Sequence, residues 1–462
     1  MTRKIYTVTD LGPGDGGKGG VVHKIATMMR VHTVIKVGGA QGSHGVCTQR
    51  GECFAFSQWG CGTFEGVGTH LSSRMVVSPE GLLNEADALR YQHGIHNAFD
   101  LVTIDEQALC ATPYHGIASR LKEMALGNNP RGTIGTGVGE AYRYSELYPD
   151  LAIRVFDLSR PDIRDRLADI REQIRRDLDS IMRGGFLSSD RKAAGKEVVL
   201  LYNDGFLDYI TERFQEVSKR ANIVDHDYLG REILTRDGVA VVESSHGVLT
   251  DHYYGFDPHT SAIRTLPRFT HEMLKEAGYG NEIADIAVFR SYAIRHGAGP
   301  MPTEDSKMSE SLLPGSHKEE NRYQGKVRVG PLDLVLLRYA IEVCGGPAAF
   351  KGIALTWFDQ ILANGKWYSC DNYIGVPNQT YFTPSGDIKV RQGEMDDAQL
   401  KYQERLGEEL MRSTPEITVV KIPSTAGRDE MYSFCADILV EKLGIPVRMI
   451  SFGSTEKDKI CR

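Results

Sequence analysis

The chain has 462 residues, 41% hydrophobic and 25% charged, with a formal net charge of -7. That balance excludes fibrous and disordered classes, and the acidic excess argues against nucleic-acid binding through a basic surface. No window approaches the roughly 18 consecutive apolar residues of a membrane span, and the start lacks an apolar signal core, so a cytosolic protein is expected.

In chain order, short apolar runs end abruptly in Gly, Ser, Asn or Asp: KIYTVTDLG near the start, HTVIKVGG at 32 to 39, EVVLLYND at 197 to 204 and GVAVVESS at 238 to 245. KGIALTWFD at 351 to 359 and PVRMISFG at 446 to 453 continue the series. Continuous β-branched runs of this length read as strands buried on both faces of a parallel sheet, and the helical period between them gives an α/β class. Between the second and fourth runs, Ile163, Leu167, Ile170, Ile174, Leu178 and Ile181 recur every three or four residues among charged side chains. That spacing predicts a surface helix with one buried stripe. The Gly/Ser/Lys-rich piece at 183 to 196 is expected to be a loop. Eight cysteines without a C-x-x-C pair are expected to be reduced, mostly buried thiols, with neither a disulfide framework nor a zinc site.

After the first run comes Gly12-Pro13-Gly14-Asp15-Gly16-Gly17-Lys18-Gly19-Gly20, then an apolar helical stretch. Strand, glycine loop and helix together form a phosphate cradle: backbone N–H groups turn toward an anion, the helix adds its positive end, and Lys18 adds a point charge. The spacing matches a Walker A loop, except that Gly19 stands where the Mg²⁺-binding Ser or Thr is required. Asp15 is the carboxylate within the loop, where a metal ion or a substrate donor would balance it.

The loop Gly14 to Gly19 resembles the G-D-E-G-K-G of adenylosuccinate synthetases. Gly38-Gly39-Ala40-Gln41-Gly42-Ser43-His44-Gly45 is similar to that family's G-G-x-N-A-G-H-T. Arg295-His296-Gly297-Ala298-Gly299-Pro300-Met301-Pro302-Thr303-Glu304 is close to its R-V-G-x-G-P-F-P-T-E. Fainter echoes in the same order extend the resemblance over essentially the whole chain. It implies one domain over 1–462, built on a large doubly wound, mostly parallel sheet with inserted helical subdomains. Residues 159–196 would form a helical and loop insertion and 305–330 a mobile substrate loop.

The activity so implied is a GTP- and Mg²⁺-dependent ligation of L-aspartate to C6 of a purine nucleoside monophosphate, in a cytoplasmic homodimer. Asp15 and His44 fall on the family's catalytic positions, and Asp15 with the Ser43 carbonyl would bind Mg²⁺. A carboxylate can take the N1 proton, and an imidazole can stabilise the transferring phosphoryl group. Gly14, Gly16, Gly17, Lys18, Gly19, Gly20, Ser43, His44, Gly45, Arg328, Trp357, Asp359, Ser451 and Gly453 would hold GTP. Asp359 would accept from the guanine edge, as in the family's T-K-x-D, with Trp357 in place of its Lys. Asp15, Lys18, Gln41, Thr133, Ile134, His246 and Ser261 would hold the acceptor nucleotide, and Arg322, Lys326 and Arg328 the aspartate.

The pattern breaks mainly at the acceptor: Gly16 replaces Glu, Gln41 replaces Asn, Ile134 replaces a Thr, and His246 replaces Gln. Three readings follow: the reaction on IMP, the same chemistry on dGMP or GMP giving a 2-aminoadenylosuccinate nucleotide, and a non-catalytic nucleotide-binding paralogue with a regulatory role.

Overall fold

The computed structural model describes residues 3–316, 322–375, 378–423 and 426–462. Its centre is an 11-stranded sheet. The order across it is Lys459–Cys461, Val447–Ser451, Gly352–Thr356, Ile283–Arg290, Arg3–Asp10, Gly238–Ser244, Val31–Gly39, Gly68–Val77, Val102–Asp105 and Asn222–Val224, with Leu109–Cys110 also pairing with Gly68–Val77. Pairing is parallel throughout except at the carboxyl end of the chain, where the three-residue strand Lys459–Cys461 runs antiparallel to Val447–Ser451. The first strand lies centrally, flanked by Ile283–Arg290 and Gly238–Ser244. This doubly wound arrangement brings several strand ends to one crevice.

Both faces of the sheet are covered. In Ile283–Arg290, Ile286 and Val288 enter one apolar cluster while Ala287 and Phe289 enter another. Alternate side chains of a strand point to opposite faces, so the continuous apolar runs reflect two-sided burial. Five of the six runs are strands as expected. The stripe from Ile163 also forms the helix Ile163–Gly184, with Ile163, Leu167, Ile170, Ile174 and Leu178 buried. Among the described residues no helix is long and apolar enough to cross a membrane.

The strand expected at 197 to 204, the loop expected at 183 to 196 and the reduced state expected of every cysteine are corrected. EVVLLYND is not a strand: its first six residues complete the helix Arg191–Tyr202, which also replaces the loop expected over the end of 183 to 196. Ala194 and Leu201 are buried on one side of this helix while Val199 is 64% exposed. Its packing against the helix Pro113–Ala125, with Arg120 and Glu197 paired at 2.7 Å, overrides the β-branched propensity of the two valines. The cysteines are not all free, because Cys47 and Cys53 form a disulfide across a small hairpin, His44–Cys47 with Cys53–Phe56. The segment 305–330 contains the helix Ser306–Ser316 and the strand Val327–Gly330, while 317–321 lies outside the described residues.

Candidate active site

The first strand ends in Asp10, which is 1% exposed. Its carboxylate accepts from the backbone of Gly12 (2.9 Å) and Gly16 (2.7 Å) and from Lys18 Nζ (3.0 Å). Lys18 also donates to the His246 carbonyl at 2.7 Å. A buried acid thus organises the glycine loop from beneath. Gly16 is forced by that contact, since a Cβ there would lie 2.7 Å from an Asp10 oxygen. Gly17, at φ 89°, caps the helix Lys18–Met28, and Thr356 Oγ1 donates to the Gly16 carbonyl at 2.6 Å.

Asp15 is the loop's non-glycine residue in the left-handed region, at φ 59°. Such a conformation costs about 1–3 kcal/mol and persists only where neighbours fix it. Here Arg290 Nε donates to the Asp15 carbonyl at 2.6 Å, and His296 Nε2 lies 3.0 Å from its carboxylate. The guanidinium of Arg290 also stacks over the Trp357 ring at 4.1 Å and donates to the Tyr292 hydroxyl at 2.7 Å.

The second loop follows Val31–Gly39. Gly39 donates its N–H to Ser245 Oγ at 2.9 Å, and Gln41 contacts His246 side chain to side chain. The two glycine loops touch: a Cβ on Gly19 would lie 2.8 Å from the Gly45 carbonyl. His44, buried beside that contact, places Nδ1 2.5 Å from Glu243 Oε1. Glu243 also accepts from Lys36 Nζ (2.9 Å), the Cys61 backbone (2.9 Å) and Cys61 Sγ (3.2 Å).

The electrostatics of this cluster follow from the pairing. Burial alone would raise Glu243, but the Lys36 ammonium, with His44, holds it well below the usual carboxylate range. Because Lys36 already balances that charge, the carboxylate does not retain a second cation, and burial lowers His44 to about 4. A neutral imidazole giving its Nδ1 proton to Glu243 keeps Nε2 as an acceptor. Burial, then the nearby Lys18, likewise lowers His246 to about 4.

At the sheet's other side Trp357, at φ 59°, caps the helix Phe358–Asn364, whose first turn carries Asp359. Ser451 Oγ donates to the Gly453 carbonyl at 2.8 Å, closing a loop under which Lys459 binds the Ser454 and Thr455 carbonyls. Gly20 packs on Lys459 Cε, where a Cβ would approach to 3.0 Å, and burial lowers this lysine to about 8.

The basic residues expected to take aspartate occupy separate positions. Arg328 NH1 pairs with Glu304 at 2.8 Å and its NH2 donates to the Gly299 carbonyl at 2.8 Å. Arg322 lies 3.5 Å from Asp190, and Lys326 is exposed. On the acceptor side, Thr133 Oγ1 meets Ser119 Oγ at 3.1 Å, Ile134 is half-buried, and Ser261 Oγ accepts from the Ile263 N–H at 3.2 Å. Gly132 abuts Ala298, where a Cβ would come within 3.8 Å of the amide, so this segment flanks the decapeptide that begins at Arg295. Asp15 and the exposed Ser43 offer the hard oxygen donors, a carboxylate and a carbonyl, that suit Mg²⁺.

The chain matches adenylosuccinate synthetase over residues 8–460. It belongs to the adenylosuccinate synthetase family. That membership makes it a ligase of the GTP-dependent, C–N bond-forming class. The adenylosuccinate synthetase of Caldanaerobacter subterraneus is 26% identical over 309 residues, 66% of each chain, so the match spans just under two thirds of that relative. Among solved structures, a fully ligated adenylosuccinate synthetase from Plasmodium falciparum superposes with a TM-score of 0.75 at 17% identity, covering 100% of both chains. A cyanophage S-2L succinoaminodeoxyadenylate synthetase bound to dGMP and dATP gives a TM-score of 0.55 at 13% identity, covering 100% of this chain and 96% of that one.

Sequence reasoning assigned no role to Asp10, Lys36, Glu243, Arg290, His296, Thr356 and Lys459, which the fold brings against the glycine loops. A signal existed for two of them. Lys36 and Glu243 are single charges inside buried apolar runs, where a lone charge requires a partner.

Proposed function

We propose that this chain condenses L-aspartate with C6 of a purine nucleoside monophosphate, IMP in the first reading, using GTP and Mg²⁺. The observation that carries it is the contact of two glycine loops, one presenting Asp15 and the other a neutral His44 held by Glu243. Asp15 takes the N1 proton as the γ-phosphoryl group passes to the 6-oxygen, breaking its bond to GDP. The arriving phosphate charge favours the imidazolium form of His44, which donates Nε2–H to the transferred phosphoryl oxygens and holds them as the aspartate amine bonds to C6, the C6–O bond breaks and phosphate leaves. Bound Mg²⁺, held by Asp15 and the Ser43 carbonyl, would neutralise phosphate charge.

Glycines 14, 16, 17, 19 and 20 with Lys18 cradle the donor phosphates, and Trp357, Asp359, Ser451 and Gly453 hold its base. Arg322, Lys326 and Arg328, on the proposed substrate loop 305–330, are the candidates for the aspartate carboxylates. Gln41, Thr133, Ile134, His246 and Ser261 line the proposed acceptor site. Residues 159–196 are read as an insertion in a single domain, and the enzyme as a cytoplasmic homodimer. Intact Asp15 and His44 support turnover over a regulatory paralogue.

A second acceptor reading rests on the altered pairing of Gln41 with His246 and on the missing side chain at Gly16: dGMP or GMP in place of IMP. Phosphate release with GTP, Mg²⁺ and aspartate, comparing IMP, dGMP and GMP, separates the two. Release with IMP supports ordinary adenylosuccinate formation. Release confined to guanine nucleotides supports the second reading, and none with any acceptor would sink both.

A further inference from the structure

We infer that His296 is a positioning residue for the ligation, aiming the Asp15 carboxylate at the acceptor base. The inference rests on the reading that Asp15 removes the N1 proton. Where the resembling family pattern has an apolar Val, this chain has an imidazole, and its Nε2 lies 3.0 Å from Asp15 Oδ2. The pair is largely shielded, with side-chain exposures of 15% for His296 and 23% for Asp15.

His296 is itself rigidly placed. It ends the short strand Ala293–His296, whose register sets it opposite Val327, and the next amide, Gly297 N, donates to the Lys326 carbonyl at 2.8 Å. Its own helix-free turn leaves no slack, because a Cβ on Gly297 would strike the Gln324 carbonyl. The imidazole therefore approaches Asp15 from a fixed point of backbone.

The physical need for such a fixture is local. Asp15 sits at φ 59° in a loop of glycines, and Arg290 holds its main-chain carbonyl. A carboxylate that accepts a proton must lie within about 3 Å of it, and a displacement of about 1 Å can cost about 100-fold in rate. A hydrogen bond from the imidazole Nε2–H, 3.0 Å away, fixes the carboxylate oxygen it reaches. His296 Nδ1 is buried without a partner among the described residues, so the imidazole's retention is not explained by bonds to the surrounding protein at that nitrogen.

The test is steady-state kinetics on purified full-length His296→Val and His296→Gln, with Asp15→Asn as control and melting temperatures for all. The amide nitrogen of Gln can reproduce the Nε2 donor; Val cannot. We expect His296→Val to lower kcat by about 10- to 100-fold with KM for GTP and aspartate changed less than about 3-fold, and His296→Gln to recover most of the loss. Full kcat in His296→Val overturns the inference. So does an equal loss in both variants accompanied by a fall in melting temperature, which marks a structural role. If Asp15→Asn retains full activity, the underlying reading of Asp15 fails; if it is inactive while His296→Val is unimpaired, only the present inference fails.

Discussion

Lys36 and Glu243 face one another across adjacent central strands, Nζ to Oε1 at 2.9 Å, with side-chain exposures of 3% and 0%. Breaking a buried pair by removing one partner leaves an uncompensated charge and typically costs about 3–5 kcal/mol. Lys36→Met should therefore destabilise the protein by about that amount in denaturant unfolding, and adding Glu243→Gln should restore part of it. A Lys36→Met variant as stable as the parent would show that the pair is not a buried charge pair in solution.

The same pair predicts a catalytic effect. Glu243→Gln replaces the charged acceptor that holds His44 Nδ1 with a neutral amide that also carries a donor, so the imidazole can turn over or take the wrong tautomer. Activity should fall by about 100-fold or more, with GTP binding measured by calorimetry nearly unchanged. His44→Ala should lose at least as much.

Acid should destabilise the fold. Burial lowers His44 and His246 to about 4 and His70 and His115 to about 3, whereas an unfolded imidazole titrates near ~6.5. Below about pH 6.5 the unfolded chain binds these protons and the folded chain does not, so stability is full above that value and falls as pH drops toward 4. Two carboxyls act in the opposite sense, Glu85 raised to about 7 and Asp333 to about 6, both by burial. The four histidines outweigh them, and the melting temperature should decline steadily between pH 6.5 and about 4.5. A melting temperature that rises over this window would contradict the assignment.

Gly19→Ser would complete the Walker A spacing and yet should impair the enzyme. The new Cβ would sit 2.8 Å from the Gly45 carbonyl, at the contact between the two catalytic loops. Overpacking of this kind costs about 1–3 kcal/mol and would move His44 relative to Asp15. A loss of about 100-fold in kcat is expected, measured beside Gly14→Ala, whose Cβ meets nothing within 4 Å and whose penalty comes from its φ of 119° alone.

The Cys47–Cys53 bond closes a short loop, with a sequence separation of 6, for which chain entropy gives about 2 kcal/mol. Cys53→Ser should lower stability by about that much under non-reducing conditions. Mass spectrometry should find two additional alkylation sites in the parent only after reduction.

Most of the parallel sheet was legible because two-sided burial writes continuous apolar runs, as in Val31–Gly39 and Gly238–Ser244. Gly68–Val77 escaped notice because His70 and Ser72 interrupt it, although both are buried and Ser72 Oγ donates to the Lys36 carbonyl at 2.8 Å. Ile283–Arg290 is likewise interrupted by Asp285, which pairs with His271 at 2.9 Å. Polar groups satisfied by distant residues carry no local period. The helix Arg191–Tyr202 was misread for the complementary reason: the valines look like a strand, and only packing against another helix decides otherwise. At the site, the glycine loops were legible from composition, whereas Asp10 beneath the loop and His296 beside Asp15 depend on strand ends meeting in space.

Arg290 joins two regions that the chain keeps far apart in sequence. Its guanidinium lies on the Trp357 ring while its Nε grips the Asp15 carbonyl. One planar, permanently charged group therefore acts as a strut of fixed length between the phosphate cradle and the corner that precedes Asp359. On the proposed seating of GTP, that strut sets the span between triphosphate and base, and shortening it with Arg290→Lys should shift both together.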